Sequence, residues 1–184
     1  MSAMAGFVLT GGQSSRMGRD KALLAMEGTV LVARTAALVR AAAGSVTLIG
    51  APERYAHLDF PAQPDLVQNC GPIGGLYTAL RMTGADWNLL VACDMPSLTE
   101  AFLRGLVDAA AECSSACLVP EAASGLHPLC AVYHRRALPD VTAAIESRRY
   151  RMHDLLRTLG AEAWPAADSA ILENVNTPLD WGAR

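Results

Sequence analysis

The chain has 184 residues, 52% of them hydrophobic, and a formal net charge of −3. That suits one compact domain with a substantial core and argues against a dedicated nucleic-acid binder, which would carry a basic excess. No apolar run approaches the roughly 18 residues of a membrane span, and no basic leader opens the chain. The five cysteines form an odd set, in which Cys113-x-x-x-Cys117 lacks a second ligand pair at zinc-site spacing. The expectation is a cytoplasmic monomer with reduced thiols, bound to neither nucleic acid nor membrane.

The first apolar run, residues 6–10, predicts a buried strand that passes into Gly11-Gly12 and on through Gln-Ser-Ser-Arg16-Met-Gly-Arg-Asp-Lys21. Glycine amides in such a turn can approach an anion closely. Fourteen of the fifteen basic residues are arginine, and the single lysine, Lys21, closes this segment. An ammonium is a compact, mobile charge suited to a phosphate that moves, whereas a guanidinium is a rigid planar fork. The segment has neither the Gly-Lys-Ser/Thr ending of a P-loop nor a G-x-G-x-x-G. This sets aside P-loop kinases, GTPases and dinucleotide dehydrogenases and leaves a nucleoside-triphosphate cradle.

Helical spacing follows over 30–43 and a strand over 45–49. Cys70-Gly71-Pro-Ile-Gly-Gly75 then leads into a helix over 76–82, its glycines permitting close backbone approach. The strand over 87–93 is almost continuously apolar and ends in one carboxylate, Asp94, with Pro96 stopping the ladder. Ser97 and Thr99 are better placed to cap the helix over 100–111. Asp94 is therefore left as a hard oxygen ligand, of which Mg²⁺ takes one or two beside phosphate oxygens and water. Strands over 116–119 and 129–133 and a helix over 136–147 complete an alternating pattern. It predicts an α/β fold, a three-layer, doubly wound, mostly parallel sheet, which binds ligands outside the carboxyl ends of its strands. Near the C-terminus, the amides of Asn174 and Asn176 point the same way along an extended segment, and Thr177-Pro178 predicts a short helix. Residues 134–157 hold six arginines against three acids. His57, His134 and His153 have no ligand or base spacing.

Leu9-Thr-Gly-Gly-x-x-x-Arg16-Met-Gly-x-Asp-Lys21 resembles the signature loop of nucleotidyltransferases of the molybdenum cofactor guanylyltransferase family, written L-A-G-G-x-x-x-R-M-G-x-D-K. Further along, Cys93-Asp94-Met-Pro96 resembles the family's C-D-x-P, Gly71-Pro-Ile-Gly-Gly75 its G-P-L-x-G, and His127-Pro128-Leu129 its H/Q-P-L. Asn174-Val-Asn176-Thr-Pro resembles its N-x-N-T-P, so the matches span nearly the whole chain. The resemblance implies a Rossmann-like nucleotidyltransferase fold in a single domain, residues 1–184, whose N-terminal part binds nucleotide and whose C-terminal part contributes the pterin side. It implies transfer of GMP from GTP to the phosphate of molybdenum-bound molybdopterin, with release of pyrophosphate. Arg16, Lys21 and Asp94 are then catalytic, with Mg²⁺ on Asp94. Leu9, Thr10, Gly11, Gly12, Lys21, Asp65, Gly71 and Asp94 meet the nucleotide. Asn174, Asn176 and Arg149, the last within the basic turn Arg148-Arg149-Tyr-Arg151, face the pterin substrate.

The motifs supply no histidine or glutamate as general base, which fits an acceptor that is itself a phosphate monoester, largely dianionic at neutral pH with a second pKa of about 6. Base choice is expected to favour GTP over CTP and ATP, read through backbone groups around Leu9 to Gly12. The implied partners are GTP, molybdopterin and, transiently, molybdenum-insertion and molybdoenzyme proteins. The chain departs from the family pattern at Thr10, where alanine is usual, at Ile49, where some members have asparagine, and at Leu179-Asp180-Trp181. Three alternatives stand beside this reading. The molybdenum cofactor cytidylyltransferases share S-x-R-M-G-x-x-K but tend towards a serine-containing loop and D-x-D-T-P in place of Gly71-Pro-Ile-Gly-Gly75 and Asn174-Val-Asn176-Thr-Pro. Sugar-1-phosphate nucleotidyltransferases usually have longer C-terminal parts. A carrier of nucleotide or cofactor without turnover would have no need for a metal aimed at the α-phosphate.

Overall fold

The computed structural model describes residues 4–10, 21–23, 25, 26 and 28–174. Strand β1 (Met4–Leu9) is followed by a 3-10 turn (Lys21–Leu23) and a small antiparallel pair, β2 (Ala25–Met26) and β3 (Thr29–Val30). Helix α1 (Leu31–Ala43) leads to β4 (Thr47–Ile49), the short α2 (Pro52–Tyr55) and β5 (Ala62–Gln63). Next come α3 (Pro72–Met82), β6 (Trp87–Ala92), α4 (Glu100–Ala110), β7 (Cys117–Ala122), β8 (Gly125–Leu126) and β9 (Cys130–His134). The chain continues through α5 (Leu138–Glu146), α6 (Met152–Leu159), β10 (Glu162–Pro165) and a 3-10 turn, Ser169–Leu172.

The main sheet runs in the order β10-β7-β9-β6-β1-β4-β5, with β8 paired to β7. β1 is parallel to both β4 and β6, β4 to β5, and β7 to β10; β9 is antiparallel to β6 and β7. β9 is reversed because only residues 123–129 join it to β7, too few for the crossover a parallel pair requires. All other strands of this order end on the same edge of the sheet.

Both faces are covered, so the strands carry apolar residues on either side. All six residues of β6 are buried. In β1, Val8 packs into one core with Val32, Val39, Leu103 and Leu106 of α1 and α4, while Phe7 and Leu9 face the other with Ile73, Leu76, Val141 and Leu155 of α3, α5 and α6. This gives the three-layer, mostly parallel architecture that the sequence predicts. Thr99 caps α4 through a bond from Phe102 N–H to its hydroxyl at 3.2 Å, as its position before the apolar period requires. α3 begins at Pro72, four residues before the predicted start, because proline at the first helical turn is pre-set for the helix and loses no bond there.

The chain steps from β1 to β4 and β5 on one side and then to β6 on the other. The sheet therefore reverses direction at β1, and a crevice opens beyond the ends of β1, β4 and β6.

Candidate active site

Three strand ends meet at that crevice in register. Leu9 pairs with Ile49 on one side and Ala92 on the other, and Cys93 N–H donates to Leu9 O at 3.3 Å. Asp94, half-buried, therefore stands beside the point where the chain leaves β1 towards the glycine segment. Thr10 is buried there. Its N–H and its hydroxyl both donate to Ile49 O, at 2.9 and 3.0 Å, and its carbonyl accepts from Tyr55 Oη at 3.2 Å.

Asp65 follows β5 at the same edge. With Leu9, Ile49, Gly71, Pro72 and Gly75 it lines a small recess. The loop carrying Asp65 is fixed to α3 by Thr78, whose hydroxyl accepts from Leu66 N–H at 3.0 Å and donates to Gly74 O at 2.9 Å. Gly71 adopts φ 62°, a region that suits glycine. At Gly75 a Cβ would lie 2.5 Å from Leu9 Cδ2, so any side chain there would have to displace that of Leu9. Asp65 Oδ1 is buried and has no hydrogen-bond partner among the described residues. Burial raises the Asp65 carboxyl above the usual carboxylate range.

A folded carboxyl with a raised pKa stays protonated at pH values where the unfolded one has already ionised. The stability it contributes in acid is therefore lost as pH rises through its folded pKa. Asp65→Asn should accordingly raise the melting temperature of the ligand-free protein at neutral pH while weakening nucleotide binding. A variant that binds GTP normally would remove Asp65 from the site.

The basic turn reaches the same edge. α5 returns from the far end of β9 and packs against α3, and the Tyr150 phenol meets the Cys70 thiol, so Arg148, Arg149 and Arg151 sit beside the Gly71 loop. Arg149 is exposed, its N–H donating to Ala144 O at 2.8 Å, and Arg148 has φ 55°. His127 and Pro128 precede β9 on this edge; His127 Nε2 lies 2.8 Å from Ser124 Oγ, and desolvation, with His153 nearby, lowers its pKa. Asn174 is exposed, just beyond the 3-10 turn after β10. Lys21 opens the first 3-10 turn. The Lys21 side chain, Gly11, Gly12, Arg16, Asn176 and the helix expected at Thr177-Pro178 lie outside the described residues.

The structure thus brings Leu9, Thr10, Asp65, Gly71 and Asp94 to one crevice, with Arg149 on the turn beside Cys70; Asn174 follows β10, an edge strand separated from β1 by β7, β9 and β6. Sequence reading missed Tyr55 and Thr78, whose hydroxyls act on backbone groups 45 and 12 residues away. No motif marks such contacts. Gly75 carried a signal, since a glycine inside a helix costs stability unless packing requires it.

A doubly wound sheet with a carboxylate at the β6 end and a glycine-bounded recess at its reversal point has the layout of a nucleotide-binding α/β domain. The chain belongs to the family of MobA-like NTP transferase domains, which it matches over residues 6–163. It is 34% identical over 186 residues to a Nostoc sp. protein named "Probable molybdenum cofactor guanylyltransferase", covering 98% of this chain and 89% of that one. A Pseudomonas entomophila protein named molybdenum cofactor guanylyltransferase is 32% identical over 177 residues, 93% of this chain and 92% of its own length. In fold, the chain resembles the crystal structure of molybdopterin-guanine dinucleotide biosynthesis protein A from Archaeoglobus fulgidus. The TM-score is 0.82 at 23% identity, over 97% of this chain and 95% of that one.

Proposed function

We propose that this protein transfers GMP from GTP to the phosphate of molybdenum-bound molybdopterin, yielding the guanine dinucleotide form of the molybdenum cofactor and pyrophosphate. The observation that carries this reading is the convergence of Asp65, Gly71 and Asp94 with the end of β1 at the reversal point of the sheet. The names of the relatives supply the acceptor. A phosphate oxygen of molybdopterin forms a bond to the α-phosphorus of GTP, the bond from that phosphorus to the bridging oxygen breaks, and pyrophosphate leaves with the electron pair. The acceptor is already largely dianionic at neutral pH, so no side chain has to take its proton.

The chain's own part is positioning and electrostatics, which dominate phosphoryl transfer. Glycine amides of residues 11 and 12, Arg16 and Lys21 hold the triphosphate. Asp65 Oδ1 accepts from the guanine edge. Arg149, Asn174 and Asn176 hold the acceptor, and the whole works as one domain, the N-terminal part on nucleotide and the C-terminal part on pterin. Asp94 fits a divalent cation, Mg²⁺ in this reading, because it offers a hard oxygen at a half-buried strand end and such a cation asks for only one or two carboxylates. When bound, the cation neutralises charge on the α-phosphate and on the departing pyrophosphate.

Incubation with GTP, Mg²⁺ and molybdopterin should give a product heavier than molybdopterin by one GMP residue. GTP recovered bound and intact would instead make the protein a carrier. Lys21→Arg keeps the charge but replaces the compact ammonium, and kcat should fall by about tenfold or more. An unchanged kcat would mean that charge alone matters at this position.

A further inference from the structure

Three consecutive residues of the loop between β5 and α3 rest on one face of α3. Asp65 Oδ1 lies 3.6 Å from the point a Cβ at Gly75 would occupy, Leu66 N–H donates to Thr78 Oγ1 at 3.0 Å, and Val67 O lies 2.9 Å from the point a Cβ at Gly74 would occupy. Two of the three receiving positions are glycines, which let backbone come this close. The third, Thr78, is fully buried and supplies a hydroxyl.

A threonine inside a helix carries a cost, since its branched side chain loses freedom and its hydroxyl turns back onto the preceding turn. Thr35, Thr142 and Thr158 all turn back in this way, each donating to the carbonyl four residues earlier. Thr78 does the same to Gly74 O at 2.9 Å, and among the described residues it alone of the four also accepts from another segment. The bond to Gly74 O commits the hydroxyl proton to the helix and leaves a lone pair for the loop. Leu66 depends on that bond, because its own side chain is 56% exposed and offers little packing. Gln68 Nε2 donates to Asp65 O at 3.2 Å and Cys70 Sγ to Gln68 O at 3.5 Å, but both bonds are internal to the loop. At the Asp65 end the polar tie between loop and helix runs through Thr78.

We infer that Thr78 is a positioning residue for base selection: its hydroxyl holds Leu66 and thereby fixes the neighbouring Asp65 carboxyl where a guanine edge meets it. The inference rests on the nucleotidyltransferase reading above, in which Asp65 accepts from the base. Without the bond, Asp65 can drift from the recess and GTP must reorder it on binding, whereas a nucleotide that bonds poorly to Asp65 loses little. The base is remote from the phosphorus at which bonds change, so the loss belongs in KM and not in kcat.

The test is steady-state kinetics of full-length Thr78→Val, Thr78→Ala and Thr78→Ser with GTP and with CTP, in the presence of Mg²⁺ and molybdopterin. Thr78→Val keeps the branched shape without the hydroxyl, Thr78→Ala removes it with less bulk, and circular dichroism reports whether each variant is folded. Both should raise KM for GTP about tenfold, the equivalent of one hydrogen bond. Kcat with GTP and kcat/KM with CTP should stay within about twofold of wild type, so the preference for GTP narrows about tenfold. Thr78→Ser should restore the wild-type ratio, and in an Asp65→Asn background Thr78→Val should narrow it no further. A folded Thr78→Val or Thr78→Ala protein with the wild-type ratio, or equal losses with GTP and CTP, would overturn the positioning role. Hydrogen exchange of the wild-type protein checks the bond without any substitution: the Leu66 amide should be protected, and exchange at the rate of an exposed amide would overturn the role as well. A wild-type protein that uses GTP and CTP equally would instead refute the reading of Asp65 on which the inference rests.

Discussion

Asp94→Asn should fold as the wild type does and lose most of its turnover. Kcat should drop on the order of 10³-fold, the scale seen when one preorganised charge-stabilising group is removed from an active site. The residue follows a completely buried strand, but Cys93 N–H and Leu9 O, not the carboxylate, join β6 to β1 at that level. Thr99, not Asp94, caps α4. Neither the pairing of β6 with β1 nor the cap of α4 uses this side chain, and the amide keeps its shape and an oxygen acceptor, so loss of the negative charge should register in catalysis. The dependence of rate on Mg²⁺ concentration should shift upward in the same variant. A folded Asp94→Asn protein with near-normal pyrophosphate release would remove the carboxylate from the mechanism.

The second large effect is base selection. Guanine presents N1–H and N2–H₂ as adjacent donors beside O6, whereas cytosine presents one amino donor with two acceptors, and adenine lacks the N1 donor. The recess holds a buried carboxyl oxygen, Asp65 Oδ1, with no hydrogen-bond partner among the described residues. Guanine can bring both N1–H and N2–H₂ to that carboxyl, whereas cytosine and adenine can each bring only one amino group and would set a ring-nitrogen lone pair beside it. Sites that hydrogen-bond their substrate reject analogues lacking the group by roughly 10⁴-fold, so kcat/KM with molybdopterin should favour GTP over CTP by about that factor. ATP should be rejected similarly, and Asp65→Asn should narrow the ratio. Equal use of CTP would move the chain to the cytidylyltransferase reading and overturn the weight given to Asn174 and Asn176.

Much of the architecture was legible because parallel strands covered on both faces must be apolar throughout. The runs ending at Leu9 and Ala92 announce themselves in this way, and each is followed by a residue with chemistry. The pieces that escaped are those whose pattern is diluted. α6 shows Met152, Leu155, Leu156 and Leu159 at helical spacing, but the arginines and acids between them read as a basic surface. β10 is an edge strand, mostly exposed and ending in Pro165, so it carries little apolar signal. β5 has two residues and the β2–β3 pair four, too few for any period to show.

In the site, motif residues were readable and their supports were not. Asp94 and Gly71 stand out by type and position. The burial of Asp65, the fit of Gly75 against Leu9 and the grip of Tyr55 on Thr10 arise from packing between segments distant in the chain. Thr10 and Ile49, two departures from the family pattern, turn out to be bonded to each other.

The most direct test of guanylyl transfer is the stoichiometry of pyrophosphate release by the wild-type protein with GTP as sole nucleotide, Mg²⁺ present and molybdopterin limiting. One pyrophosphate should appear for each molybdopterin consumed, and none when either substrate is omitted. Release from GTP without molybdopterin, or molybdopterin left unconsumed in the complete mixture, would contradict it.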